Sequence, residues 1–196
     1  AQIEAIPSTN GWTYPVDGGW RSAGTWSYPD GGVHLGYDFA AGYGTTIRAV
    51  ANGVVLRGVN GCPTVGYLGD SCGYQFGGVS YAGNQVIQLV TVNGSLYGVD
   101  YFHMTLNTPA ATGTIVNAGD VIGQVGSSGN TTGPHCHVEI FYLGDASGFA
   151  YYAANWNGDV SFGTGWTGGR YGLYGRRCSD GVGAPCRIQP EEVFGY

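Results

Sequence analysis

Apolar residues along this chain recur in runs and alternations of strand length, separated by turn residues. The patterns begin at residue 31, and Val33 to Ala40 reads as a strand. Thr46-Ile47-Arg48-Ala49-Val50 and Gly53-Val54-Val55-Leu56 read as two more, separated by an Asn52-Gly53 turn. Gln85 to Val92 is strongly β-prone, and Asn93-Gly94 predicts a hairpin turn into Leu96 to Met104. A short strand follows between Gly119 and Gly126, then a polar loop from Ser127 to Pro134, then a strand from His137 to Tyr142. Residues 1–27 read as an irregular opening segment. Residues 60–82 and 144–186 read as long Gly-rich loop insertions, the second with a short helix at Tyr151–Asn155. No internal repeat is evident, so residues 1–196 are expected to form a single, mainly β domain.

Composition supports that class. There are 38 Gly and 15 Tyr among 196 residues, and only 10% of residues are charged, as in a turn-rich β protein. A hydrophobic content of 43% is too high for a disordered chain. Lys is absent, and the net charge is -6. Phosphate recognition needs clustered cations, so nucleic acid is excluded as a main partner. No run approaches the ~18 apolar residues that span a bilayer. No basic-then-apolar leader opens the chain, so any signal peptide lies outside it. Cys62 with Cys72, and Cys178 with Cys186, each bracket a Gly-rich loop. Two short-range disulfides are therefore expected, and with them a secreted, extracellular location.

The candidate chemistry lies in the histidines. All four fall in or between two short motifs: His34-Leu35-Gly36-Tyr37-Asp38, the isolated His103, and His135-Cys136-His137-Val138-Glu139. Strand alternation puts His135, His137 and Glu139 on one face and turns Cys136 into the core as a buried free thiol. His34 and Asp38 share parity as well. If the two segments are adjacent strands, His34, Asp38 and His137 can meet at one ion. Two imidazoles and a carboxylate suit Zn²⁺ and leave a fourth position open, the catalytic pattern.

These residues resemble a family. His34-x-x-x-Asp38, Tyr101-Phe102-His103-Met104 and Thr132-Gly133-Pro134-His135-x-His137-x-Glu139 are similar to the lysostaphin-type zinc endopeptidases of bacterial cell walls. So are Ala49–Val55, Gly119–Gly123 and Gly126-x-x-Gly129. The resemblance covers residues 28–142 and the Ile188–Glu192 tail. It implies an antiparallel β-sheet core with a groove walled by loops. It also implies zinc held by His34, Asp38 and His137, and catalysis assisted by His103 and His135. Tyr28, six residues before the first ligand, has the spacing of a tyrosine that stabilises the transition state. The implied substrate is the peptide part of peptidoglycan, either cross-bridge or stem; apart from the resemblance, a monomer is the default expectation. The alternative is a catalytically silent wall-binding or regulatory module on the same fold.

The chain departs from the family pattern at Cys136, where a bulky apolar residue is usual, and in its two insertions. Each insertion is expected to add a groove wall, so specificity does not carry over. Glu139 is read either as a partner that orients an imidazole or as a salt-bridged or solvated strand residue. The aromatics Phe149, Tyr151, Tyr152, Trp156, Phe162, Trp166, Tyr171 and Tyr174 either line a groove or pin down the loop, the second reading being preferred. Arg176 and Arg177 are read as solvated charges beside a disulfide rather than as a carboxylate site.

Overall fold

The computed structural model describes residues 11–28, 33–165 and 175–195. In chain order the strands are β1 (Trp20–Ala23), β2 (Trp26–Ser27), β3 (Val33–His34), β4 (Tyr37–Ala40), β5 (Thr46–Arg48), β6 (Gly53–Val59), β7 (Asn84–Val92), β8 (Ser95–Met104), β9 (Ile115–Val116), β10 (Val121–Gln124) and β11 (His135–Asp145). Helix α1 (Phe149–Asn155), strand β12 (Cys186–Ile188) and helix α2 (Glu191–Phe194) follow. The protein is mainly β, as its alternation predicts.

Eight of these strands form one antiparallel sheet in the order β1-β4-β11-β8-β7-β6-β9, with β12 also paired to β11. Strand β11 organises it. One edge pairs along most of its length with β8. The other edge is shared: β4 takes His135 to Val138, and β12 takes Ile140 to Tyr142. The β7–β8 hairpin turns at Asn93 and Gly94, both at positive φ (49° and 82°), as a two-residue turn requires.

The sheet has two faces because side chains alternate. One buries Val86, Val90, Val99, Tyr101, Cys136, Val138 and Ile140 against Ile47, Ile122 and neighbours. The other buries Val54, Leu56, Ile87, Leu89 and Phe141 against Phe149 and Phe162. Gly98 makes room there, since a Cβ would stand 2.5 Å from the Phe162 ring. Both expected disulfides, Cys62–Cys72 and Cys178–Cys186, are formed, and Cys136 is a buried free thiol.

Several elements differ from the sequence reading. Val33–Ala40 is not one strand: β3 pairs with β2 in a small separate sheet, and β4 joins the main one. The break falls at Gly36, where the chain crosses β11 so closely that a Cβ would lie 2.9 Å from both Glu139 Cγ and His137 Nε2. The opening segment is not irregular throughout, because β1 pairs with β4 and β2 with β3. Asn52-Gly53 does separate β5 from β6, but the two strands do not pair with each other, since β5 pairs with β10 whereas β6 pairs with β7 and β9. Gly53 serves instead to let β6 approach the Leu89 backbone. Strand β11 starts at His135 rather than His137, and α1 starts at Phe149 rather than Tyr151.

The second insertion, where described, does not line the cleft beside the histidines, although it borders two other surface grooves. Phe149, Tyr152, Trp156 and Phe162 pack on the sheet and so hold the loop down, while Tyr151 is exposed. Trp166, Tyr171 and Tyr174 lie outside the described residues. Arg176 donates to the carbonyls of Pro185 and Gly183, and Arg177 pairs with Asp180 at 3.4 Å. Both are thus tied into the disulfide loop.

Candidate metal centre

The register of β4 on β11 sets Asp38 directly opposite His137. On the other side of His137, β8 places Phe102 in register, and its ring stacks on the imidazole at 5.1 Å and 12°. His34 enters from β3, the stretch just before the Gly36 crossing. Three ligand atoms then converge. His34 Nε2 is 2.9 Å from His137 Nδ1 and 3.1 Å from Asp38 Oδ1, and His137 Nδ1 is 2.9 Å from the same oxygen.

The remaining ring nitrogens explain what this convergence means. His34 Nδ1 lies 2.7 Å from the Gly24 carbonyl, which can only accept, so Nδ1 carries the proton. His137 Nε2 lies 3.0 Å from Glu139 Oε2, a buried carboxylate that also accepts. Both imidazoles therefore aim lone pairs at each other and at Asp38. Three acceptors this close repel unless a cation lies among them. Burial works against charge on His137, but hydrogen bonds to Asp38 and Glu139 outweigh it and push the imidazole up to about 10. Burial likewise opposes charge on Asp38, yet His137 and His34 hold its carboxyl well below the usual range. The cluster attracts positive charge, and its donor set of two nitrogens and one oxygen fits Zn²⁺.

His103 and His135 stand outside this trio. His103 Nδ1 donates to the Ser128 carbonyl at 2.6 Å, and its backbone is held at φ 64°, a strained value for a non-glycine residue. Burial and the neighbouring His135 push its imidazole down to about 3, so it stays neutral. His135 Nδ1 donates to the Gly133 carbonyl at 2.9 Å, and its Nε2 is 3.7 Å from Asp38 Oδ1. The two rings lie 4.7 Å apart. Tyr28 lies against His34 with ring centroids 4.1 Å apart.

Tyr28, Leu68, His103, Asn130, Pro134 and His135 line a cleft of about 600 Å³. A smaller space of about 150 Å³ adjoins it between Tyr28, Tyr81, His103 and His137. The first insertion builds one wall. Gly66 N donates to Ser127 O, Ser127 N to Thr64 O, and Gly69 N to Asn130 Oδ1, which brings Leu68 into the cleft. The structure thus gathers all six sequence candidates: five line the cleft or the space beside it, and His34 lies buried against Asp38, His137 and Tyr28.

Of three buried groups beside the cluster, Arg187 and Asp100 escaped the sequence reading, whereas Glu139 has the imidazole contact that was one of its readings. Glu139 is neither solvated nor a simple ion pair: it bonds His137 with Oε2 and Arg187 with Oε1. Arg187, 1% exposed, comes from β12, and nothing local in the sequence marks it. Asp100 faces Glu139 across β8 with both carboxylate oxygens lacking a hydrogen-bond partner among the described residues. Burial and the nearby Glu139 carboxylate push it well above the usual carboxylate range. Its alternation with Phe102 on a β-prone segment was the one available signal.

The sequence model of peptidase family M23 matches residues 32–148. The DD-carboxypeptidase/endopeptidase Mpg of Neisseria meningitidis serogroup B is 35% identical over 107 residues, 55% of this chain and 20% of that protein. Lysostaphin of Staphylococcus staphylolyticus is 28% identical over 110 residues, 56% of this chain and 19% of that protein. A crystal structure of a zinc containing peptidase from Vibrio cholerae aligns with a TM-score of 0.50 at 25% identity, covering 67% of this chain and 37% of that one. The matched part thus spans 19–20% of the length of these two curated relatives.

Proposed function

Because the chain belongs to peptidase family M23, we propose that it is a zinc-dependent endopeptidase that hydrolyses peptide bonds in bacterial peptidoglycan, in cross-bridge or stem. The observation that carries this reading is the convergence of His34 Nε2, Asp38 Oδ1 and His137 Nδ1, with each imidazole's other nitrogen already committed. His34, Asp38 and His137 would hold the ion. When bound, Zn²⁺ supplies Lewis acidity toward a carbonyl and lowers the pKa of water.

The other residues then have distinct tasks. His103 has its proton on Nδ1, so Nε2 offers a lone pair, and its low basicity lets it orient a water without capturing a proton. His135 Nε2, open to the cleft beside Asp38, carries the proton toward the leaving amine. The Tyr28 hydroxyl would steady charge developing on the carbonyl oxygen, a role supported by its place on the cleft lining beside His34. The cleft walls apart from these groups are uncharged, which suits a peptide rather than a nucleic acid. The two disulfides support a secreted, extracellular location, where the protein would act on the cell wall; we take it to act as a monomer. Among the described residues no helix is long and apolar enough to cross a membrane.

The test is digestion of purified peptidoglycans with different cross-bridges, with and without a zinc chelator, reading released fragments by mass spectrometry. Chelator-sensitive release is expected, and the new termini name the scissile bond. Intact walls from every source, with zinc bound, would overturn the enzyme and favour a silent wall-binding module.

A further inference from the structure

Burying an ion pair is costly, and apolar residues of similar volume often stabilise a core as well or better. Arg187 and Glu139 are nevertheless 1% and 2% exposed, on the same sheet face as the metal cluster. We propose that Arg187 is a positioning residue for the metal ligand His137, acting through Glu139. This rests on the metal reading above and extends it to the C-terminal strand.

The Glu139 carboxylate is divided between two donors. Oε1 takes Arg187 Nη1, and Oε2 takes His137 Nε2. The guanidinium therefore fixes the rotation of the carboxylate. The carboxylate in turn keeps the proton on Nε2 and leaves Nδ1 bare toward Asp38 and His34. Partners of this kind hold a ligand's tautomer and orientation. Asp100, opposite Glu139, engages neither His137 nor Arg187 by a hydrogen bond.

Arg187 is itself held from several directions. Its backbone N donates to Arg176 O at 2.7 Å, and β12 pairs it with Phe141. Its guanidinium lies 4.6 Å from the centre of the Phe141 ring, and Cys186 beside it is bridged to Cys178. A strand more than forty residues beyond the metal motif, stapled by a disulfide, thus reaches the ligand through one side chain.

The test uses the full chain with Arg187→Met. Zinc affinity is measured by chelator competition, and the His137 Nε2–H hydrogen bond to Glu139 by imidazole ¹H–¹⁵N NMR of the zinc-loaded protein. With the circular dichroism spectrum and both disulfides retained, affinity is expected to fall about 10- to 100-fold. The Nε2–H signal should also lose its hydrogen-bonded shift and its protection from exchange. Wild-type affinity and Nε2–H signal in a folded Arg187→Met protein would overturn the proposal. If that variant fails to fold, the double variant Glu139→Gln/Arg187→Met leaves no unpaired buried charge. Its zinc affinity should also fall at least about tenfold, and an unchanged value would again overturn the proposal. A wild-type chain that binds no zinc would instead overturn the metal reading itself.

Discussion

Gly36→Ala tests how tightly the metal cluster depends on backbone approach. Gly36 has no positive φ, so alanine suits its backbone and the effect is purely steric. The new Cβ would stand 2.9 Å from His137 Nε2 and from Glu139 Cγ, and closer still to the Val138 carbonyl oxygen. Restoring the 2.9 Å contacts to the 3.4 Å at which ordinary van der Waals contact begins needs a displacement of at least ~0.5 Å, and the Val138 carbonyl oxygen needs more. Metal–ligand distances tolerate about ±0.2 Å. The displaced segment carries His34 on one side of Gly36 and Asp38 on the other, so two ligands move relative to the third. Zinc affinity should therefore fall at least about tenfold, and overpacking should cost about 1–3 kcal/mol of stability. Chelator competition reads the first and denaturant unfolding of the zinc-free protein the second. An alanine variant that binds zinc within twofold of wild type would refute the argument that β3 and β4 are seated on β11 through Gly36.

Three further outcomes are expected. His103→Ala should lower kcat by about 10²-fold, the loss expected when the group that orients the water is removed, while a metal assay still finds zinc bound; normal turnover would remove His103 from the reaction. Phe162→Ala empties the apolar end of the second sheet face, beneath Gly98, and should cost about 3–5 kcal/mol in urea unfolding; a loss under ~1 kcal/mol would mean that the loop collapses to fill the space. Burial opposes ionisation of Asp159, but hydrogen bonds from Ser161 and Gly163 outweigh it and hold its pKa below the ordinary carboxylate value. A depressed folded pKa contributes stability above the unfolded value of about 3.9 and loses it as pH falls through the folded pKa. Wild type should therefore be more stable than Asp159→Asn at pH 6, and the gap should narrow as the pH falls below about 3.9; a pH-independent gap would show that Asp159 acts only as a neutral acceptor.

Features that depend on local chemistry could be read from the chain. Asn93-Gly94 specifies its turn by backbone freedom, and the short Cys spacings specify their bridges. The parity of His135, His137 and Glu139 follows from alternation alone. Features that depend on which strands meet could not be read. Val33–Ala40 has the composition of one strand, and only the crossing over β11 shows why it must break at Gly36. Asn52-Gly53 carries a hairpin signal, but β5 finds its partner in β10. Arg187 sits in a three-residue strand whose role exists only because β12 occupies the half of the β11 edge that β4 leaves free.

That division of the β11 edge also explains how the site keeps its register. Side chains alternate, so a one-residue slip of β4 would carry Asp38 away from His137 to the opposite face. The polar face alone cannot prevent this, because Asp38 and His137 attract one another there through a shared proton or ion and not through packing. The opposite face can. There Phe39 is in register with Cys136 and Tyr37 with Val138, all four are buried, and the Tyr37 and Phe39 rings lie 4.2 Å apart. A slip would bring Asp38 into that apolar layer and expose Phe39, losing about 1.5–3 kcal/mol for the aromatic alone. The small Cys136 side chain, which departs from the family pattern, lies opposite a phenylalanine in this layer. The apolar side of the strand pair thus sets the alignment on which the metal side depends, before any ion is bound.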